Sequence, residues 1–157
     1  MCDIDEIMDM FSWNSSPEVQ QKGIELARNV RCLNAFLLPI DSRHSKDVWE
    51  NCAIVLSEKS DEELSPYLME LLDWLVDLTW PGAMIILERL LKYDRIPELA
   101  QAVEIAVKVG KALNDENWIV LMSNLLDNQK LADALSESTR KEIIRLVEEA
   151  QRWDSTV

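Results

Sequence analysis

The sequence has 157 residues, the size of one ordinary domain and long enough to bury a core without disulfides or metal. Its composition, 48% apolar and 29% charged with only three glycines and five prolines, excludes a disordered chain and favours long helices over a sheet with many tight turns. The formal net charge of −13, from 29 acidic and 16 basic residues, excludes binding of nucleic acid or anionic lipid through a basic surface and favours a protein partner with a basic surface.

Almost every apolar segment has helical spacing. A first helix is expected over Asp3–Phe11, with Ile4, Ile7, Met8 and Phe11 on one face. Ser16-Pro17 supplies an N-cap hydroxyl followed by proline where no N–H is needed, and opens a helix to about Val30. Gly23 weakens that helix slightly. Residues 32–39, CLNAFLLP, fit a short apolar helix ending at Pro39, and DSRHS (41–45) reads as a polar loop. Ser45 or Asp47 can cap a helix through Leu56. Asp61-Glu62-Glu63 fits an initial turn, and Ser65-Pro66 starts a helix from Tyr67 to about Leu78. Trp80-Pro81 breaks it, because a residue before proline is pushed out of the helical region, and Pro81 suits the first turn of a helix to Tyr93. Ile96-Pro97 opens a helix to Leu113, and Asn114-Asp115 separates it from a helix over Glu116–Asp127. A last helix is expected over Glu137–Trp153, with Thr139 and Glu142 as a capping box.

Short corners between successive helices make neighbours antiparallel, which leaves a closed bundle or a stacked solenoid. Five of the six tryptophans, at 13, 49, 80, 118 and 153, recur at intervals of 31 to 38 residues. WENCAIVL, WPGAMIIL and WIVLMSNL each place an indole near the start of an apolar helix, where it fits core packing. Trp13 and Trp153 lie near the chain ends, where they can cap a stack. The segment LLDWLVDLTWPGA followed by IILERLL resembles a family of small bacterial HEAT-like helical proteins of unknown function with a central D-W-L-x-D-x-x-W-P-G-A corner. The resemblance is specific over residues 71–91. It implies a short right-handed stack of antiparallel helix hairpins with Trp80, Pro81 and Gly82 at a structural corner, and no established chemistry. Small bacterial proteins of this class include immunity proteins that neutralise toxins.

Motifs for chemistry are few. No P-loop, dinucleotide fingerprint or G-x-S-x-G is present. Cys2, Cys32 and Cys52 form no C-x-x-C pair and no zinc spacing, which suits reduced thiols in the cytoplasm. The acidic start MCDIDEIMDM lacks the basic region of a signal peptide, and no uncharged stretch is long enough to span a membrane. His44, the one histidine, lies in a polar loop and reads as solvated; a pair with Cys32 or Cys52 stays open. No metal or cofactor is expected.

Carboxylates are plentiful. Residues 61–88 hold seven acidic residues and no lysine or arginine. On one continuous helix, Glu70, Asp73 and Asp77 share a face, with Trp74 beside it and Leu68, Leu71, Leu72 and Leu75 opposite. Glu63, Glu70, Asp73, Trp74 and Asp77 are therefore the candidate partner-binding residues: carboxylates steer a basic partner and a bordering tryptophan anchors it. Acid catalysis wants two carboxyl groups in different environments across a cleft, which one convex face does not supply. On the 97–113 helix, Glu104 and Lys108 form a favourable pair on an exposed polar side. The expectation is a single all-α domain over 1–157, a HEAT-like superhelix with an irregular bundle as the alternative. Its expected role is non-enzymatic protein interaction, with a toxin-neutralising immunity protein and a carboxylate- or metal-dependent enzyme as the competing roles.

Overall fold

The computed structural model describes residues 3–155, so Cys2 lies outside the described residues. The described residues form helices and no strand, the expected all-α class. No helix among them is long and apolar enough to cross a membrane. Helix α1 (Ile4–Phe11) turns Ile7, Met8 and Phe11 inward. Helix α2 (Pro17–Ala27) begins as its local chemistry dictates: the Ser16 hydroxyl accepts the N–H of Val19, and Pro17 occupies the first turn. Gly23 sits where α2 crosses α1, and a Cβ there would fall 2.8 Å from the Met10 Cβ. Close approach of the two helices, rather than helix propensity, accounts for that glycine.

CLNAFLLP forms only a 3₁₀ turn, Leu33–Phe36, which drops Leu33 and Phe36 into the core. The chain then reverses through Leu38 at φ 47°, so the expected helix to Pro39 does not form. Helix α3 (Lys46–Ser57) is central and buries Val48, Trp49, Cys52, Ala53, Val55 and Leu56. Helix α4 (Asp61–Leu64) is a single turn opened by a capping box between Ser60 and Glu63. A 3₁₀ turn, Ser65–Tyr67, leads into α5 (Leu68–Asp73), and a second, Trp74–Val76, ends it.

The expected continuous helix from Tyr67 to Leu78 is thus corrected. Trp118 donates its indole N–H to the Leu72 carbonyl at 2.9 Å, an acceptor that a continuing α-helix would give to residue 76. Asp77 is already extended, at φ −146° and ψ 110°. Nor does Pro81 open the next helix. Helix α6 (Ala83–Leu91) starts after Gly82, which stands at φ 83°.

Helix α7 (Ile96–Ala112) runs close to its expected span, with Pro97 in its first turn. Helix α8 (Glu116–Met122) is capped by Asp115 and tightens into a 3₁₀ turn, Ser123–Asp127. A short α9 (Gln129–Ala134) precedes α10 (Glu137–Ser155). The expected capping box in α10 is built differently. Ser136 accepts the N–H of Thr139, and the acidic member comes from α7: Glu104 accepts the Ser136 N–H at 2.6 Å and the Thr139 hydroxyl. Glu142 pairs instead with Lys111 and Arg145.

Helix α7 packs against α5, α8, α9 and α10; α8 also packs against α10 and the Trp74–Val76 turn, and α6 packs against α3 and the Ser123–Asp127 turn. Helices α1 and α2 pair with each other and cover α3. One apolar cluster runs through the stack from Ile7 to Leu146. Trp49, Trp74 and Trp118 are buried in it, and each indole N–H meets a backbone carbonyl, of Pro39, Pro81 and Leu72 respectively. Trp13 and Trp153 are exposed rather than covering the ends of the stack.

Candidate functional site

The break at Asp73 divides the predicted acidic stripe. Glu70 and Asp73 remain on the exposed side of α5, opposite Leu68, Leu71 and Leu72. They are close enough for the Glu70 charge, added to partial desolvation, to raise the pKa of Asp73. Asp77 has left the helix and faces elsewhere. Its carboxylate accepts the Thr79 hydroxyl at 2.6 Å and the Thr79 N–H at 2.8 Å, which lowers its pKa and fixes the turn. Glu63 is exposed but belongs to the α4 cap, where it accepts the N–H and hydroxyl of Ser60. Asp61, one of the seven acidic residues of the window, accepts from Arg89 at 2.6 Å and from the Asp94 N–H at 3.0 Å. Glu62, Glu70 and Asp73 are exposed and have no cation in ion-pair contact among the described residues.

Trp74 is not the anchor beside this edge. Its side chain is 0% exposed and its N–H donates to the Pro81 carbonyl at 3.0 Å, so the indole closes the corner from inside. The corner residues do meet there. Trp80 packs edge-on against Trp49 with ring centroids 5.4 Å apart, and Lys46 lies over it at 5.8 Å. Gly82 is fixed twice over. Its φ of +83° is left-handed, and a Cβ would come within 2.5 Å of the Ala53 Cβ and 2.9 Å of the Trp49 carbonyl oxygen.

His44, expected to be solvated, is mostly buried at the junction of α1 and α3. Its Nε2 lies 2.7 Å from Asp9 and its Nδ1 2.8 Å from Asp47. Ionised carboxylates only accept, so both ring nitrogens donate and the imidazole is held protonated. Its pKa is raised, the Asp9 contact being the largest cause. Arg43 adds a second cation on Asp9 at 2.5 Å, and Asp41 accepts the N–H groups of Arg43 and His44. The spacing D-x-x-H-x-x-D in 41–47 was the available signal: Asp47 at i+3 takes the ring, and Asp41 at i−3 shapes the loop. No Cys–His pair forms. Cys52 is buried against Met8, and burial pushes its thiol pKa up, away from the reactive thiolate. Cys32 is exposed.

Glu104 does not form the exposed pair expected with Lys108; it is tied to Ser136 and Thr139 across two helices. A comparable polar knot joins the Ser65–Tyr67 turn to α7, where Glu98 accepts the hydroxyls of Ser65 at 2.7 Å and Tyr93 at 2.9 Å. Among the described residues no group of three or more His, Cys, Asp and Glu is placed to hold a metal ion.

The clefts are shallow. One of about 530 Å³ lies between Leu91–Asp94 and Asp127–Lys130. Another, of about 360 Å³, is a groove between α5 and α7 lined by Ser65, Pro66, Leu68, Met69, Glu98, Gln101, Ala102 and Ile105. The first holds Asp94 on one wall and Asp127 on the other; the second holds one carboxylate, Glu98.

Residues 43–156 match a protein family described as a domain of unknown function, DUF5071. No curated protein and no solved structure matches the chain. The matched segment spans most of the chain and begins at Arg43, so α1 and α2 precede it and the His44 cluster joins them to it.

Proposed function

The chain belongs to the DUF5071 family, and we propose that it is a non-enzymatic protein-interaction domain whose acidic edge receives a partner with a basic surface. The observation that carries this reading is local charge: residues 61–88 hold seven acidic residues and no lysine or arginine, and within that segment Glu62, Glu70 and Asp73 are exposed and make no ion pair among the described residues. Charges held together without a counterion raise the local potential, speed encounter with a basic surface and repel acidic ones. A HEAT-like stack, in which successive helices pack as α1 does on α2 and α7 on α8, would present such an edge rigidly.

The test is charge reversal of Glu62, Glu70 and Asp73 to Lys. Proteins retained by the immobilised wild-type chain from its native host are compared with those retained by the triple variant, with circular dichroism confirming equal helicity. The expected result is a basic protein captured by the wild type, released by salt and absent from the variant. The same proteins captured by both would overturn the reading.

A further inference from the structure

We propose that His44 is a pH-operated latch: charged, it holds α1 against α3, and neutral, it lets α1 lift and bare the face of α3 that carries Cys52. The inference is independent of the acidic edge. The ring stands between two helices, meeting Asp9 of α1 at 2.7 Å through Nε2 and Asp47 of α3 at 2.8 Å through Nδ1. Its side chain is 13% exposed, so little water is at hand to replace a lost partner. When the ring gives its proton to solvent, one nitrogen keeps a lone pair aimed at a carboxylate that only accepts. A charge-assisted hydrogen bond becomes a repulsion, and the two carboxylates lose the cation between them.

His44 is the group in this cluster that titrates near neutrality. Around it stand Asp9 from α1, with Glu6 one turn before it, Asp47 from α3, and Asp41 and Arg43 from the ring's own loop. Lys46 lies over Trp80 instead, and α2 reaches α3 through Gln20, which is uncharged. Asp9, Asp41 and Asp47 are held ionised to below the usual carboxylate range, and arginine keeps its charge. The other ties on α1 do not change with pH: Asn51 donates to the Phe11 carbonyl at 2.8 Å, the Trp13 N–H donates to the Asp47 carbonyl at 3.0 Å, and Ile7, Met8 and Phe11 are buried. Lifting is therefore a minor excursion whose frequency His44 sets. At the far end of α2, Arg28 stays paired with Glu58 of the α3 cap. Cys52 reports the excursion, because it is 0% exposed and its Sγ lies 4.0 Å from the Met8 Sδ of α1. Since α1 precedes the family match and α3 lies inside it, the latch joins the two segments.

The test uses the chain with Cys2→Ser and Cys32→Ser, which leaves Cys52 as its one thiol. Alkylation by iodoacetamide is timed from pH 6 to pH 8.5, folded and unfolded in urea, and the ratio of the two rates removes the chemistry of the thiolate itself. The ratio should rise at least about threefold across this range, following the titration of the His44 Cε1 proton. It should also exceed the global unfolding constant at least about tenfold and respond weakly to low urea, as a local opening does. His44→Asn should raise the ratio at pH 6 and flatten its dependence on pH; Asp9→Asn, which keeps the ring and its Asp47 contact, should do the same in part. Circular dichroism confirms that each variant is folded, and the wild-type titration decides the matter without them. A ratio that stays flat in the wild-type chain overturns the latch. So does a ratio that equals the global unfolding constant and shares its urea slope, or a folded His44→Asn chain that behaves as the wild type does.

Discussion

The indole N–H of Trp74 donates to the carbonyl of Pro81 at 3.0 Å, bridging the chain across the corner between α5 and α6. The side chain is fully enclosed, so Trp74 acts on the fold and not on a partner. Trp74→Phe keeps most of the volume but leaves the Pro81 oxygen without its donor, and should cost about 1–3 kcal/mol. Trp74→Ala should cost about 3–5 kcal/mol. Urea unfolding at constant m-value measures both. A folded Trp74→Phe chain should capture the same partners as the wild type; selective loss of capture would return Trp74 to the binding surface.

Gly82→Ala meets three obstacles, a left-handed φ, the Ala53 methyl group and the Trp49 carbonyl oxygen. The substitution should destabilise by more than about 2 kcal/mol. Adding Ala53→Gly removes the nearer collision and should recover part of the loss, while the backbone strain remains. Thermal melts of the two single variants and the double variant decide this. Strict additivity would show that the two positions do not oppose each other.

The His44 cluster makes stability depend on pH at both limits. The folded pKa of His44 is raised above the ordinary value of 6.5, so its contribution is complete below that value and is lost as pH rises through the raised one. Asp9 and Asp47 are shifted the other way. For Asp9 the His44 contact is the largest cause; for Asp47 burial opposes the shift, and the Ser45 N–H and His44 outweigh it. Their contributions are present above the ordinary value of 3.8 and disappear as pH falls through the lowered ones. The melting temperature should therefore fall as pH rises above about 6.5. His44→Asn should be less stable below that pH and flatter above it. His44 is the chain's one histidine, so its Cε1 proton is a single resolved titration; a midpoint at or below 6.5 contradicts the geometry.

Asp73 carries a cost. Partial desolvation and the Glu70 charge raise its pKa, so ionisation opposes folding above its ordinary range. Asp73→Asn should match or exceed wild-type stability near neutral pH, by no more than a few tenths of a kcal/mol because solvent screens the exposed pair. The difference should shrink as pH falls through the raised value and vanish below the ordinary value of 3.8. A stable but binding-impaired Asp73→Asn chain is the signature of a residue kept for contact; a clear loss of stability would instead assign it a structural partner.

Two helix starts are legible from local chemistry: Ser16-Pro17 opens α2 and Ile96-Pro97 opens α7. The failures share a different cause: the deciding partner is remote in sequence. α5 ends where the indole of Trp118, 46 residues away, takes the Leu72 carbonyl. His44 is ordered by Asp9, 35 residues earlier, and α10 is capped by Glu104 of another helix. A periodic pattern assumes that a helix continues until a local signal stops it, and at Asp73 no local signal does. The pattern therefore carries Asp77 onto a face it does not share, and it places Trp74 at the border of that face without deciding whether the indole is buried. Of the predicted acidic edge, Glu70 and Asp73 remain together and exposed. Glu62 joins them as an exposed carboxylate of the same charge-dense segment, a place that spacing within α5 alone did not reveal.

The graded depth of the six indoles gives the molecule its own optical probes. Trp49, Trp74 and Trp118 sit dry in the interior, Trp80 lies at its edge, and Trp13 and Trp153 are 60% and 76% exposed. Emission from the outer pair is red-shifted and open to a collisional quencher, whereas the buried three emit to the blue and are shielded. Replacing Trp13 and Trp153 with Phe silences the wet signal at the two ends of the chain. What remains is light from Trp49 on α3, Trp74 and Trp80 at the corner and Trp118 on α8, and its drift to the red dates the moment water enters there.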